Sequence, residues 1–242
     1  MSDTVTDLPV VVIGAGPVGL AAAAHLTSRG LPVLVLEAGH SAGASVLEWG
    51  HIRLFSPWAQ LVDPAAEKLL APVGWQRPAD DVYPTGRDWV EQYLQPLAAA
   101  LGDTVRLDTR VTGVTRQGRD RIVDAGRDDA PFVVHTRDQA GDERRLEARG
   151  VIDASGTFAT PNPLGADGLP AAGEAAHAEV ISYRVPDLND PTVRARYAGR
   201  HVAVAGSGHS ALTALVAFAE LAAAEPDTRV SWLLRRGVVG EV

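Results

Sequence analysis

Two glycine triplets in this sequence have the residue types and spacing to seat a diphosphate. The first, Gly14-Ala15-Gly16-Pro17-Val18-Gly19, follows the apolar run "VVVI" and opens the stretch "GLAAAAHLTSRG". A β-branched run before the triplet and an Ala/Leu-rich run after it read as strand, tight turn and helix, with Gly30 ending the helix. In that arrangement the first glycine permits the turn, the second lets backbone approach a pyrophosphate, and the third lets helix and strand pack closely. The N–H groups of the opening helix turn then face the phosphates. A second apolar run, "PVLVLE", ends in Glu37 and Ala38, with 17 residues between Gly19 and the acid. A carboxylate there can accept both ribose hydroxyls of an adenosine, which is the context a dinucleotide fingerprint requires.

The second triplet is Gly206-Ser207-Gly208-His209-Ser210-Ala211, set between "HVAVA" and "LTALVAFAEL". Its helix is expected to run to about Leu221. Ala211 in the third position is tolerated, although it holds the helix slightly off the strand. The next strand, "RVSWLL", ends in Arg235 and Arg236 rather than an acid. Guanidinium groups suit a ribose 2′-phosphate and so lean toward NADP over NAD, or they merely end a strand in solvent. His209 either touches the pyrophosphate or is solvated.

Between the two lies "VLEWGHIRLFSPW", which gathers Trp49, His51, Arg53, Phe55 and Trp58 in a chain that is only 5% aromatic. A flat ring system needs aromatic walls and a few polar donors, so Trp49, His51, Arg53 and Trp58 are candidates for the cofactor or substrate wall. The competing reading is that the aromatics are core and His51 an interior histidine with its own partners. No catalytic base stands out.

The elements that must position these residues fit an α/β protein. The chain has 242 residues, 46% hydrophobic and 21% charged, enough for one large domain or one and a half ordinary ones. A formal charge of −8 opposes binding to nucleic acid or to an anionic membrane surface. The apolar N-terminal run is preceded by Asp3 and Asp7 and no basic residue, and glycines break it, so neither an export signal nor a membrane span is expected. With 0 Cys there is no disulfide, thiolate metal site or cysteine nucleophile within these residues; no metal site is expected, and a reducing cytoplasm fits. "PTGRDWVEQYLQPLAAAL" reads as a core helix opened by Thr85 and Asp88 at capping-box spacing, with Trp89, Tyr93, Leu94 and Leu97 on one face. "VRLDTRVTGVTR", "APFVVHTRD" and "RRLEARGVIDASG" read as strands.

Together these motifs resemble the flavoproteins with two dinucleotide-binding domains, and within them the flavin-containing, class B monooxygenases. "VIDASG" is similar to the small-residue turn where such proteins leave the first domain, and "GEAAHAEVI" partly matches the monooxygenase linker motif, with Ala171 and Ile181 at its two aromatic positions. The resemblance implies a Rossmann-like FAD-binding domain with a β-meander over residues 1–160, a crossover over 161–198, and the start of an incomplete second Rossmann-like NADPH-binding domain over 199–242. It implies FAD against Gly14–Gly19, Glu37, Ala38, the backbone of Val111, and Ala154, Ser155 and Gly156. For Val111, ordinary strand core is the equal alternative. NADPH would lie on Gly206–Ala211 with Arg235 and Arg236. Related disulfide reductases pass electrons to a cysteine pair, which this chain lacks, leaving oxygen or a small acceptor for the reduced flavin. The expectation is an NADPH- and FAD-dependent monooxygenase acting on a small molecule. The alternatives are a reductase or dehydrogenase without oxygen chemistry, and a non-catalytic nucleotide-binding fragment or subunit. The resemblance further implies a missing C-terminal part, so that the chain is a fragment of a longer protein, a truncated product or one half of a complex, with that part or a homo-oligomer partner as the expected partner.

Overall fold

The computed structural model describes residues 5–122, 124–165 and 167–234. It divides into two compact units, Met1–Phe158 and Ala159–Val242.

The first unit is built on a parallel sheet of order β3-β2-β1-β7, comprising Val10–Ile13 (β1), Val33–Leu36 (β2), Val105–Arg106 (β3) and Gly150–Asp153 (β7). A run of β-branched and Leu residues suits the two central strands, which are covered on both faces. Val11, Val12, Val35 and Leu36 are all within 1% of full burial. One face is covered by Pro17–Ser28 (α1), Pro64–Leu70 (α4) and Gln95–Leu101 (α6), through Leu20, Ala24, Ala66, Leu70 and Leu97. The short helices Ala44–Leu47 (α2), Trp58–Leu61 (α3) and Gly86–Trp89 (α5) connect them.

The other face packs against an antiparallel meander of Thr109–Arg116 (β4), Phe132–Asp138 (β5) and Glu143–Ala148 (β6). Val134 and Ala148 of the meander meet Val11, Leu34 and Leu36 of the parallel sheet, with Val111 packed alongside. The stretch "VRLDTRVTGVTR" is therefore not one strand. Its first residues pair in parallel with β2 and the rest pair with β5. The chain turns between them at Asp108, the one described non-glycine residue with positive φ, at 54°.

The expected core helix is also interrupted. Thr85 and Asp88 form the full capping box and open α5 as read, but Val90–Leu94 is a π turn before α6. The cause is Pro96, which has no N–H to return to the carbonyl four residues back. That carbonyl, on Gln92, instead accepts from the Trp75 indole N–H at 2.6 Å. Tyr93, Leu94 and Leu97 still face the core.

The second unit holds the parallel pair His201–Ala205 (β8) and Arg229–Leu233 (β9), joined by His209–Ala224 (α8), and the short helix Pro191–Ala195 (α7). Leu188, Val204, Ala214, Phe218 and Leu221 form its core, with Tyr197 edge-on to Phe218 at 5.1 Å. Helix α8 runs one turn beyond the expected Leu221.

Candidate functional site

In the first unit three chain segments leave the carboxyl ends of neighbouring strands and converge: Gly14 after β1, Glu37 after β2 and Ala154 after β7. Strand β1 lies between the other two, so a crevice opens where the connections diverge, the place where open α/β sheets bind ligands.

The three glycines occupy distinct environments. Gly14 has φ +99°, and a Cβ there would come 2.7 Å from the Ala154 carbonyl oxygen. Gly19 is closer still, since its Cβ would lie 1.9 Å from the oxygen of Gly14. Around Gly16 nothing lies within 4 Å of an added Cβ. Two glycines are thus demanded by the protein's own packing, while the middle one borders open space at the head of α1. No side chain caps that helix, whose first return bond runs from Leu20 N–H to the Gly16 carbonyl at 3.0 Å. Pro17 occupies the first helical position, where no N–H is needed. This geometry fits a pyrophosphate: open room beside backbone at Gly16 and a positive helix end.

Glu37 is already engaged with backbone. One carboxylate oxygen accepts from Ala15 N–H at 2.7 Å and the other from Gly39 N–H at 2.8 Å. A carboxylate has about four acceptor sites, so two remain for ribose hydroxyls. On the far wall, Asp153 accepts from the backbone N–H of Ser155 at 3.0 Å and from its hydroxyl at 2.6 Å. The hydroxyl and then the amide hold the Asp153 carboxyl below its ordinary value. Gly156 continues this turn with φ +69°. Ala38 is exposed beside Glu37, while the side chain of Val111 is spent on the core beneath the meander.

The aromatic stretch is not gathered into one wall. Trp58 is 2% exposed and belongs to the main core. Trp49 lies over Gly86, whose Cβ would meet its ring at 2.8 Å. The Arg53 guanidinium donates to the Tyr83 carbonyl, and Arg53 bridges Thr85. His51 Nε2 is buried without a hydrogen-bond partner among the described residues. Packing thus accounts for Trp49 and Trp58, and a backbone carbonyl for Arg53.

The second loop repeats the first in outline. Gly206 has φ +114°, and an added Cβ at Gly208 meets nothing within 4 Å. Gly208 caps α8 with no side-chain bond, and Ser207, His209, Ser210 and Ala211 surround the helix start. The Ala211 methyl stands 3.8 Å from where a Cβ on Gly206 would be, so this loop is looser than the one closed by Gly19. Arg235 and Arg236 lie outside the described residues. No group of three or more metal-ligating side chains occurs among the described residues, and no described helix is long and apolar enough to cross a membrane.

Reading the sequence alone missed two contacts: the inward bonds of Glu37, and the Trp232 indole N–H, which donates to the Gly206 carbonyl at 2.7 Å. An acid at a strand end signals the first position but not its backbone partners; nothing in the sequence signals the second.

Comparison with known proteins places these loops in context. Residues 11–239 match the family described as pyridine nucleotide-disulphide oxidoreductase. The indole-3-pyruvate monooxygenase YUCCA1 of Oryza sativa subsp. japonica is 31% identical over 204 residues, covering 84% of this chain and 43% of the rice protein. Among solved structures, the bacillithiol disulfide reductase Bdr (YpdA) from Bacillus cereus superposes with a TM-score of 0.65 at 22% identity, over 96% of this chain and 60% of its own. DfoA from Erwinia amylovora, the cadaverine monooxygenase of desferrioxamine biosynthesis in an FAD-bound structure, gives 0.63 at 20%, over 98% of this chain and 53% of its own. The chain thus spans about half the length of these relatives while nearly all of it is matched. It belongs to the pyridine nucleotide-disulphide oxidoreductase family, with a Rossmann-like α/β fold.

Proposed function

We propose that this chain holds FAD at the first glycine loop and NADPH at the second, as part of a flavoprotein monooxygenase that oxygenates a small molecule. The observation that carries the reading is the pair of loops in which the middle glycine alone borders open space. Gly14, Gly16 and Gly19 shape the first loop around a pyrophosphate, and Ala15, Pro17 and Val18 form its backbone. Glu37 and Ala38 take the ribose side, with the backbone of Val111 at the adenine and Ala154, Ser155 and Gly156 along the opposite wall. Gly206 to Ala211 serve the second dinucleotide, and Arg235 and Arg236 its 2′-phosphate. Residues 1–160, 161–198 and 199–242 act as FAD domain, crossover and NADPH module, in a protein of the cytoplasm.

FAD, when bound, supplies a two-electron carrier that takes hydride from NADPH and reacts with oxygen. The family name carries disulfide chemistry, but with 0 Cys this chain has no cysteine pair through which reduced flavin could pass electrons to a disulfide. Oxygen is therefore the acceptor favoured here, in line with the rice monooxygenase. The test is titration of the purified chain with FAD, followed by anaerobic NADPH and then air. Saturable FAD uptake, loss of flavin absorbance with NADPH and, on readmission of air, a transient absorbance distinct from both oxidised and reduced flavin are expected. Failure to take up FAD would overturn the reading, and direct return of the oxidised spectrum with hydrogen peroxide release would leave only a reductase.

A further inference from the structure

The two glycine loops are secured by different side chains, and the difference points to a residue that positions the second. In the first unit the Gly14 N–H reaches the Leu36 carbonyl at 2.8 Å, and the next residue along β2, Glu37, takes the Ala15 N–H. In the second unit the Gly206 N–H reaches the Leu233 carbonyl at 3.0 Å in the same way. The next residue there is Leu234, which has no acceptor with which to hold the amide of Ser207. The grip comes from one residue earlier on the strand. Trp232 sits in register with Val204 on β8, and its indole N–H donates to the Gly206 carbonyl at 2.7 Å. The corresponding position in the first unit is Val35, in register with Val12 and wholly buried. Trp232 is 37% exposed, so its indole reaches the loop at the rim of its unit rather than filling the core.

The consequence follows from peptide geometry. The C=O and N–H of one planar trans peptide point in opposite directions, so fixing the oxygen of the Gly206–Ser207 peptide fixes its N–H as well. Gly206, at φ +114°, has no Cβ to restrict that rotation. We infer that Trp232 is a positioning residue for the second dinucleotide: by holding the Gly206 carbonyl it aims the Ser207 N–H away from the strand and toward the diphosphate. Where Glu37 spends the equivalent amide on a carboxylate, Trp232 leaves it for the ligand and adds no negative charge near a 2′-phosphate. This rests on the second loop being the NADPH site.

The test uses Trp232→Phe and Trp232→Leu, which keep an apolar side chain and carry no hydrogen-bond donor. The amide resonance of Ser207 is followed by NMR without ligand, and NADPH and FAD affinities by calorimetry. Loss of the indole bond to the Gly206 carbonyl is expected to shift the Ser207 amide resonance and raise the NADPH Kd by about tenfold, equivalent to ~1.4 kcal/mol, with FAD affinity unchanged. NADPH affinity within about twofold of the parent, or an unmoved Ser207 resonance, would overturn the inference while leaving the NADPH site standing. A parent chain that takes up FAD but no NADPH removes the site and this role together. Collapse of both variants, seen by circular dichroism, would make Trp232 a packing residue and also overturn it.

Discussion

Replacing Gly16 and Gly19 one at a time by alanine separates a ligand's demand from the protein's own. At Gly19 the added methyl would lie 1.9 Å from the Gly14 oxygen, so α1 must withdraw by about 1.2 Å to reach the ~3.1 Å at which such contacts become tolerable. Leu20, Ala23 and Ala24, each 0% exposed, tie the helix to the core and resist that withdrawal. Overpacking of this kind costs about 1–3 kcal/mol, and the Tm is expected to fall by roughly 2–4 °C per kcal/mol in a chain of this size. At Gly16 the backbone has φ −78° and ψ −177°, which alanine adopts freely, and its methyl meets no atom. Stability should then hold within about 0.5 kcal/mol. The methyl would instead occupy the space a diphosphate needs, and FAD affinity should fall at least tenfold, equivalent to about 1.4 kcal/mol. Urea unfolding gives the stabilities, and quenching of flavin fluorescence gives the affinities. The reasoning fails if Gly19→Ala is as stable as the parent, or if Gly16→Ala binds FAD unchanged.

Glu37→Gln leaves a single acceptor oxygen for two backbone donors, so one of the Ala15 and Gly39 bonds is lost; FAD Kd should rise about ten- to a hundredfold by calorimetry. The Asp88 carboxyl lies below its ordinary value because the backbone N–H and then the hydroxyl of Thr85 donate to it, outweighing burial. A carboxyl depressed in the folded state contributes stability above its unfolded pKa, near 3.9, and loses it as pH falls through the lower folded value. Urea midpoints should therefore drop on acidification below about pH 4, with a shallower drop in Asp88→Asn. Trp75→Phe strips the Gln92 carbonyl of its donor and should cost about 1 kcal/mol in the same assay.

The first crevice was legible because each part has its own local signature: glycines where backbone must turn or approach, a buried hydrophobic strand on either side, an acid at the second strand's end. Alternation marked the strands, while their place as a meander before the last parallel strand came from the family resemblance. What alternation missed depends on pairing over distance. "VRLDTRVTGVTR" carries one continuous β pattern, yet its two halves join different sheets, and Asp108 at φ 54° gives no more sequence signal than any other aspartate. The π turn at Val90–Leu94 hides behind a regular helical stripe, since Pro96 disturbs the ladder and leaves the stripe intact. Trp58 and Arg53 share one short stretch with Trp49 and His51, but proximity in sequence did not decide which would face a cavity; Trp58 went to the core and Arg53 to a carbonyl. Trp232 looks like ordinary strand material until its indole is seen against Gly206.

Strand order has a consequence for how the protein is made. Strand β1 takes β2 as one neighbour early in translation, but its other neighbour is Gly150–Asp153, delivered only after the whole meander. The wall that presses on Gly14 arrives with Ala154. A nascent chain therefore shows the ribosome's surroundings a half-built crevice, its central strand bare along one edge, for most of the time taken to synthesise the unit. The proposed FAD site is complete only with that late strand, and chaperones that shield open strand edges have their window there.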